Sequence, residues 1–294
     1  METRLLRYFI TVAKEENISR AAKSLHMTQP TLSRQMMELE KEVGSTLFIR
    51  GNRRITLTEE GILLRKRAHE IIDLIDKTEA ELAVPTENVS GNIYIGGGET
   101  YAMELIALVI QELKQEHPQI KFHIYSGNAI DVTDKLDHGL LDFGLLIGSS
   151  NFTNYESIEL PATETWGILM KKDSELSSRK VIKAEDLWDL PLIISKQSLT
   201  EKELTNWLKK NNDELNIVAT YNLVYNASIL VKQGLGYALA LDKLINTTGE
   251  SNLQFVPLSP NVETKLNIVW KRNQVFPKAA ELFLKKLKEH FEQN

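Results

Sequence analysis

The 294-residue chain contains no cysteine, which excludes thiol nucleophiles, disulfides and thiolate metal sites. Its six histidines, His26, His69, His117, His123, His138 and His290, are scattered, with no H-E-x-x-H run and no metal-ligand spacing. No Ser/His/Asp order and no paired carboxylates stand out for acid–base or nucleophilic work. The glycines Gly96-Gly97-Gly98 fit neither G-x-x-x-x-G-K-[ST] nor G-x-G-x-x-G, so a nucleotide loop is not expected either. What remains is a crowd of short hydrogen-bonding groups around a proline in "MTQPTLSRQMMELE": Gln29, Pro30, Thr31, Ser33 and Arg34. Amide, hydroxyl and guanidinium groups in one place suit recognition, by bonds to base edges and phosphate oxygens.

Several elements must position them. Thr28 is a good N-cap, and Pro30 belongs in a first helical turn, where its missing N–H has no partner to lose. A helix therefore begins at Gln29, with Leu32, Met36 and Leu39 at core spacing. Before it, LLRYFITVAKE places Leu5, Phe9, Val12 and Ala13 on one helical face, and NISRAAKSLHM opens a second helix with Ser19 as its expected cap. Ala21 and Ala22 let two helices approach closely, and His26-Met27-Thr28 turns between them. This spacing predicts a helix-turn-helix whose second helix enters a major groove by its N-terminal end. Gly44 ends that helix, and TLFIR and RITLT flank Gly51-Asn52 as a small hairpin, or wing, bearing Arg50, Arg53 and Arg54. Arginines there suit phosphate or minor-groove contact.

Charge agrees with this division. The chain carries 35 cations and 40 anions, but residues 1–58 hold ten cations against six anions, a balance of +4, which leaves −9 for the rest. A basic head on an acidic body implies that only the head meets a polyanion.

The run FITVAKEENISRAAKSLHMTQPTLSRQMMELEKEVGSTLFIRGNRRITLTEEG resembles the DNA-binding segment of LysR-type transcriptional regulators. The matching positions are Ala21-Ala22, Thr28-Gln29-Pro30 with Ser33 and Gln35, Glu40 with Gly44, Leu47-Phe48, Arg50, and Leu57-Thr58 with Gly61. The resemblance implies that Gln29, Pro30, Ser33, Arg34 and Arg50 work at DNA, in agreement with the chemistry above.

From Glu59 to about Val84 the only helix breaker is Gly61. Leu57, Gly61, Leu64, Ala68, Ile71, Ile75, Thr78 and Leu82 step by 4, 3, 4, 3, 4, 3 and 4, the spacing of a helix that pairs with a second copy. Pro85-Thr86-Glu87-Asn88 then reads as a hinge. The resemblance implies the same linker helix in a homodimer, with further assembly to a homotetramer.

Beyond Gly91 strands and helices alternate, which predicts an α/β body with mainly parallel sheets. The resemblance implies two lobes like those of periplasmic binding proteins, with an effector cleft between them. The whole is thus expected as a multidomain α+β chain. Residues 1–58 form the winged helix-turn-helix, 59–88 the linker helix and hinge, and 89–294 the body. Lobe one is 89–160 with 268–294, and lobe two is 161–267, the strands crossing near Leu160-Pro161-Ala162 and Thr264–Leu266. Ligands in such folds bind beyond the carboxyl ends of strands, at helix N-termini. Four places qualify: Gly98 with Thr100, Ser126 with Asn128, Ser195 with Gln197 and Ser198, and Asn226 with Ser228. The family commonly holds its effector by a hydroxyl at the Thr100-like position.

The expected function is sequence-specific promoter recognition switched by a small polar or anionic effector, with RNA polymerase a candidate partner and no cofactor. The N-terminus is too charged for a signal peptide and no stretch reaches membrane-spanning length, so a cytoplasmic location is expected. Two rivals are an enzyme and a solute-binding protein carrying a DNA-targeting head. The first lacks a visible catalytic constellation; the second is opposed by the missing leader.

Overall fold

The computed structural model describes residues 1–51, 54–82, 89–148, 153–198 and 202–292, without the side chains of Arg50, Lys202 and Glu203. Arg53 and the hinge at 85–88 lie outside the described residues. The chain divides into two compact units, Met1–Ala83 and Val84–Asn294.

The head consists of α1 (Thr3–Glu15), α2 (Ile18–Ser24), α3 (Gln29–Val43), the hairpin β1 (Phe48–Arg50) and β2 (Ile55–Leu57), and α4 (Glu59–Leu82). Its core is Leu6, Phe9, Val12, Ala21, Ala22, Leu32, Met36, Leu39 and Leu47, joined by Ala68 and Ile72 of α4. Phe9 is fully buried, so removing its ring costs about 3–5 kcal/mol. The two alanines are buried as their small size requires. Helix α2 is capped by Asn17, whose side-chain oxygen accepts from Arg20 N at 3.0 Å, and not by Ser19. Asn17 wins because Glu16 turns the chain with a φ of 50°, leaving Asn17 extended directly before the first helical residue.

Conserving space at the wing falls to three polar or small residues. Glu40 Oε1 accepts from Leu47 N at 2.8 Å and Phe48 N at 3.2 Å, which ties the end of α3 to the start of the hairpin. Thr58 accepts from Gly61 N at 2.9 Å and donates to Thr46 O at 2.8 Å, capping α4 against the same loop. A Cβ on Gly61 would lie 2.2 Å from Leu47 O, so only glycine lets α4 lie this close.

Along α4 the predicted stripe divides. Gly61 and Ala68 are buried and Leu64 half-buried in the head's own core, where Ile72 joins them. The large apolar residues left exposed are Ile62, Leu63, Ile71, Leu74 and Leu82. The N-terminal part of the heptad reading is therefore corrected: that face is used inside the head, and the free apolar stripe lies on its flank.

The body holds a nine-stranded sheet in the order β4-β3-β5-β11-β6-β9-β7-β8, with β10 also on β6. The strands are β3 (Gly91–Gly97), β4 (Ile120–Ser126), β5 (Phe143–Ile147), β6 (Tyr155–Lys171), β7 (Leu192–Ser195), β8 (Ile217–Tyr221), β9 (Tyr237–Leu241), β10 (Leu253–Pro257) and β11 (Glu263–Lys271). The helices are α5 (Met103–Glu116), α6 (Ala129–Asp137), α7 (Lys202–Leu208), α8 (Val224–Lys232) and α9 (Lys278–Phe291). Its pairing is mixed, not mainly parallel. The pairs β3–β4, β3–β5, β7–β8 and β7–β9 run parallel, whereas every pair made by β6 or β11 is antiparallel.

Strand β6 carries the chain between two cores. Ile158 and Leu160 belong to the core around Ile106, Phe143 and Phe283, while Trp166, Ile168 and Met170 belong to the one around Leu187, Leu192 and Leu239. The sequence segments SIELPA (157–162) and WGILMK (166–171) thus lie in one strand. Its ladder with β11 slips between Thr163↔Lys265 and Glu159↔Asn267, leaving Leu160-Pro161-Ala162 opposite Leu266 alone. Proline has no N–H to contribute and sits in that slip. No helix among the described residues is long and apolar enough to cross a membrane.

Candidate functional site

Two surfaces meet the chemical requirements, one in each unit. On the head, Thr28 Oγ1 caps α3 by accepting from Thr31 N at 3.4 Å and lies 2.7 Å from the Thr31 hydroxyl. Pro30 occupies the first turn. Gln29, Pro30, Thr31 and Arg34 are exposed and Ser33 is half-buried. The polar half-turn is therefore outside, while Leu32, Met36 and Leu39 on the opposite face fill the core. Met37, 54% exposed, continues the outer face and was not among the expected residues. Arg34 Nε pairs with Glu38 at 3.2 Å, and Gln35 Nε2 donates to the same carboxylate at 2.6 Å.

On the wing, the backbone of Arg50 pairs with Ile55 in the hairpin ladder. Arg54 is held by Glu16 at 2.6 Å, and Ile55 N donates to Glu16 O at 2.8 Å. The hydrogen bond from Arg54, then its charge, keeps the Glu16 carboxyl below its ordinary range, and Glu16 in turn raises the Arg54 guanidinium. Arg54 thus anchors the wing to the end of α1 as well as facing solvent.

In the body, two neighbouring cavities run between the lobes. One of about 320 Å³ is lined by Gly96–Thr100, Ser126, Tyr125 and, from the other lobe, Val224, Tyr225 and Leu244. A tighter one of about 50 Å³ is lined by Gly98, Glu99, Asn128, Trp166, Ser195, Gln197, Ser198, Tyr221 and Asn222. Of the expected residues, Gly98, Thr100, Ser126, Asn128, Ser195 and Gln197 come together here. Asn226 does not. Helix α8 starts at Val224 with Leu223 before it, so Asn226 stands within the helix, exposed and outside both linings; Tyr221 and Asn222 take the place assigned to it. Ser228 is buried and donates to Tyr225 O at 2.7 Å.

The hydroxyl of Thr100 is already engaged. It donates to Glu164 Oε1 and accepts from Ala102 N at 3.1 Å, while Glu164 Oε1 also accepts from Ala102 N at 3.0 Å. Both side chains are 6% exposed, and Glu164 Oε2 has no hydrogen-bond partner among the described residues. Thr100 does not stand at the mouth of a helix: α5 begins three residues later, after a turn at Thr100–Ala102. Hydrogen bonds span the lobes: Val224 N donates to Glu99 Oε2 at 2.6 Å, and Ala129 N donates to Gln197 Oε1 at 3.2 Å. Asn128 caps α6 by accepting from Asp131 N at 3.0 Å, and Ser195 Oγ accepts from Ser198 N at 3.4 Å.

Glu99, Glu164, Trp166, Tyr221 and Asn222 were not anticipated. For Glu164 a signal existed: in strand β6 it shares its alternate face with Ile158, Leu160, Ala162 and Trp166, which puts a carboxylate on the buried side. Among the described residues no group of histidine and carboxylate side chains could hold a metal ion.

Residues 3–62 match the family described as "Bacterial regulatory helix-turn-helix protein, lysR family", and residues 86–292 match "LysR substrate binding domain". The HTH-type transcriptional regulator BsdA of Bacillus subtilis is 28% identical over 293 residues, covering 97% of this chain and 99% of that protein. The HTH-type transcriptional regulator IlvY of Escherichia coli is 23% identical over 303 residues, covering 99% of this chain and all of that one (100%). Among solved structures, full-length CbnR complexed with its target DNA superposes with a TM-score of 0.76 at 20% identity, covering 98% of this chain and 99% of CbnR. The chain belongs to the LysR family of transcriptional regulators, with a DNA-binding helix-turn-helix head and an effector-binding body.

Proposed function

We propose that this regulator reads promoter DNA as a dimer of heads and is switched by a small molecule held between the two lobes of its body. The observation that carries the reading is the outer face of α3: Gln29, Pro30, Thr31 and Arg34 stand in solvent while the same helix buries Leu32, Met36 and Leu39. A helix that fills its core with one face and offers donors and acceptors on the other is built to enter a groove. Ser33, Arg50, Arg53 and Arg54 supply flanking contacts, and the +4 balance of residues 1–58 supplies the attraction to phosphate.

One head reads few base pairs, and the exposed stripe Leu63, Ile71, Leu74 and Leu82 on α4 supports pairing with a second copy. The CbnR structure was solved with target DNA, which supports the same assignment of the head. In the body, Glu99 and Gln197 bridge the lobes beside Gly98, Ser126, Asn128 and Ser195. An effector there shifts the balance between open and closed lobes only to the extent that it binds one of them better. That shift, carried through the segment between the two units, changes the spacing at which paired heads hold DNA. Assembly to a tetramer, contact with RNA polymerase and action in the cytoplasm belong to the same proposal.

The test is a mobility-shift assay of the full chain against random genomic fragments. Discrete shifted fragments that survive competitor DNA and raised salt are expected. Binding that fades uniformly with salt and shows no preferred fragment would remove the regulatory reading.

A further inference from the structure

We infer that the inter-lobe cleft takes a small molecule through a positively charged, donor-rich nitrogen group, and not through a carboxylate or phosphate. The inference rests on the cleft being the effector site. Helix N-termini ordinarily favour anions because their first N–H groups are unpaired. Here one such group at each of three helices is taken by the chain's own acceptors. At α5, Ala102 N is held by Glu164 and Thr100; at α8, Val224 N is held by Glu99; at α6, Ala129 N is held by Gln197. An incoming carboxylate would have to displace an internal one and then remain beside it, and like charges a few ångströms apart in a sheltered cleft repel strongly.

The lining also lacks anything to offset that repulsion. The described residues of both cavities include the carboxylate of Glu99 and no lysine or arginine. Of the cations nearby, Lys243 lies over the ring of Tyr101 and Lys135 over that of Tyr125, while Lys196, between the lining Ser195 and Gln197, is exposed. What the cleft offers instead is acceptor capacity. A carboxylate has about four lone-pair positions, of which Glu99 is seen to spend one on Val224. Glu164, outside both linings but bonded to the cavity-lining Thr100, has no partner for Oε2 among the described residues although the side chain is only 6% exposed. Trp166, Tyr221, Tyr125 and Tyr225 add aromatic rings to the lining, the residue type whose faces attract cations. At about 320 Å³ the larger cavity stands at the small end for ligand sites.

Titration calorimetry on the full chain tests this with pairs of probes matched in skeleton and opposite in charge: putrescine against succinate, and benzylamine against benzoate. At least one amine is expected to bind at one site per chain and its carboxylate partner not to bind. Glu99→Gln and Glu164→Gln, which keep the side-chain size, should each weaken the amine about tenfold or more, as loss of a charge-assisted bond does. Unliganded melting curves establish that the variants fold, and if one does not, the other decides. Binding of a carboxylate but no amine, absence of any amine binding, or amine binding indifferent to the glutamates would each overturn the inference. Discrete DNA sites found for a chain that ignores amines would sink this assignment alone; loss of site-specific DNA binding would sink the regulatory reading whatever the calorimetry gives.

Discussion

Arg34 stands 80% exposed with its guanidinium 3.2 Å from Glu38, itself 47% exposed. An exposed i,i+4 pair of this kind is worth about 0.3–0.5 kcal/mol, whereas a good base contact discriminates by about 1–3 kcal/mol. Leaving Glu38 for a groove is therefore favourable, and the pair parks the side chain without locking it. Arg34→Ala should lose about 1–3 kcal/mol of preference for the specific site over random DNA in competition binding. An equal loss on every sequence would make Arg34 a phosphate anchor instead. Arg54 is tied more firmly, because its hydrogen bond and charge lower the Glu16 carboxyl. A carboxyl lowered on folding contributes above its ordinary range and stops contributing as pH falls through the lowered value. At neutral pH Glu16 thus competes with phosphate for the arginine. Glu16→Gln frees it there, and if Arg54 then reaches phosphate the slope of log affinity against log salt should steepen by about 0.9. An unchanged slope would confine Arg54 to holding the wing.

Helix α4 owes its place to Gly61, Thr58 and Glu40 acting on one loop. Alanine is about 1 kcal/mol better than glycine inside a helix, so Gly61→Ala would stabilise an isolated α4. In the head the added methyl meets the backbone of Leu47 at 2.2 Å, and backbone cannot swing aside as a side-chain tip can. Overpacking of this kind costs about 1–3 kcal/mol, so the expected net change is destabilising, read as a lower melting temperature of the head's helical signal. These roles were half visible beforehand: the spacing of Glu40, Gly44, Leu47, Thr58 and Gly61 marked a pattern, but only the fold shows that Glu40, Leu47, Thr58 and Gly61 meet at one junction. The recognition helix was legible because cap, proline and apolar period agree at Thr28, Pro30, Leu32, Met36 and Leu39. Elements of the body were harder where local signals are weak. YALAL of β9 is almost wholly buried and so has no polar alternation, and LQFVP of β10 ends in a proline that reads as loop. Helix α8 has no side-chain cap, which made Asn226 look like its beginning. The cleft's carboxylates escaped for another reason: Glu99 and Val224 are 125 residues apart, and no local pattern records a bond across that distance.

For the whole molecule, the division of α4 into a buried and a free face decides how copies can associate. The side nearest the head is spent on Gly61, Leu64, Ala68 and Ile72, so a partner can use only the flank bearing Leu63, Ile71, Leu74 and Leu82. Burying one leucine is worth about 2 kcal/mol, and two-fold symmetry counts each position twice, so one substitution removes about 4 kcal/mol from a dimer. Leu74→Asp should accordingly raise the dimer dissociation constant about a thousandfold in sedimentation equilibrium, more if the carboxylates approach each other. The fold of the head should be nearly untouched, within about 0.5 kcal/mol, because Leu74 is exposed in the single chain. Footprinting then separates assembly from recognition: a monomeric variant that keeps α3 intact protects one half-site and loses the other. If Leu74→Asp sediments like the unaltered chain and protects the full site, the helices do not pair through this stripe, and the two-fold reading of DNA must come from contacts between bodies.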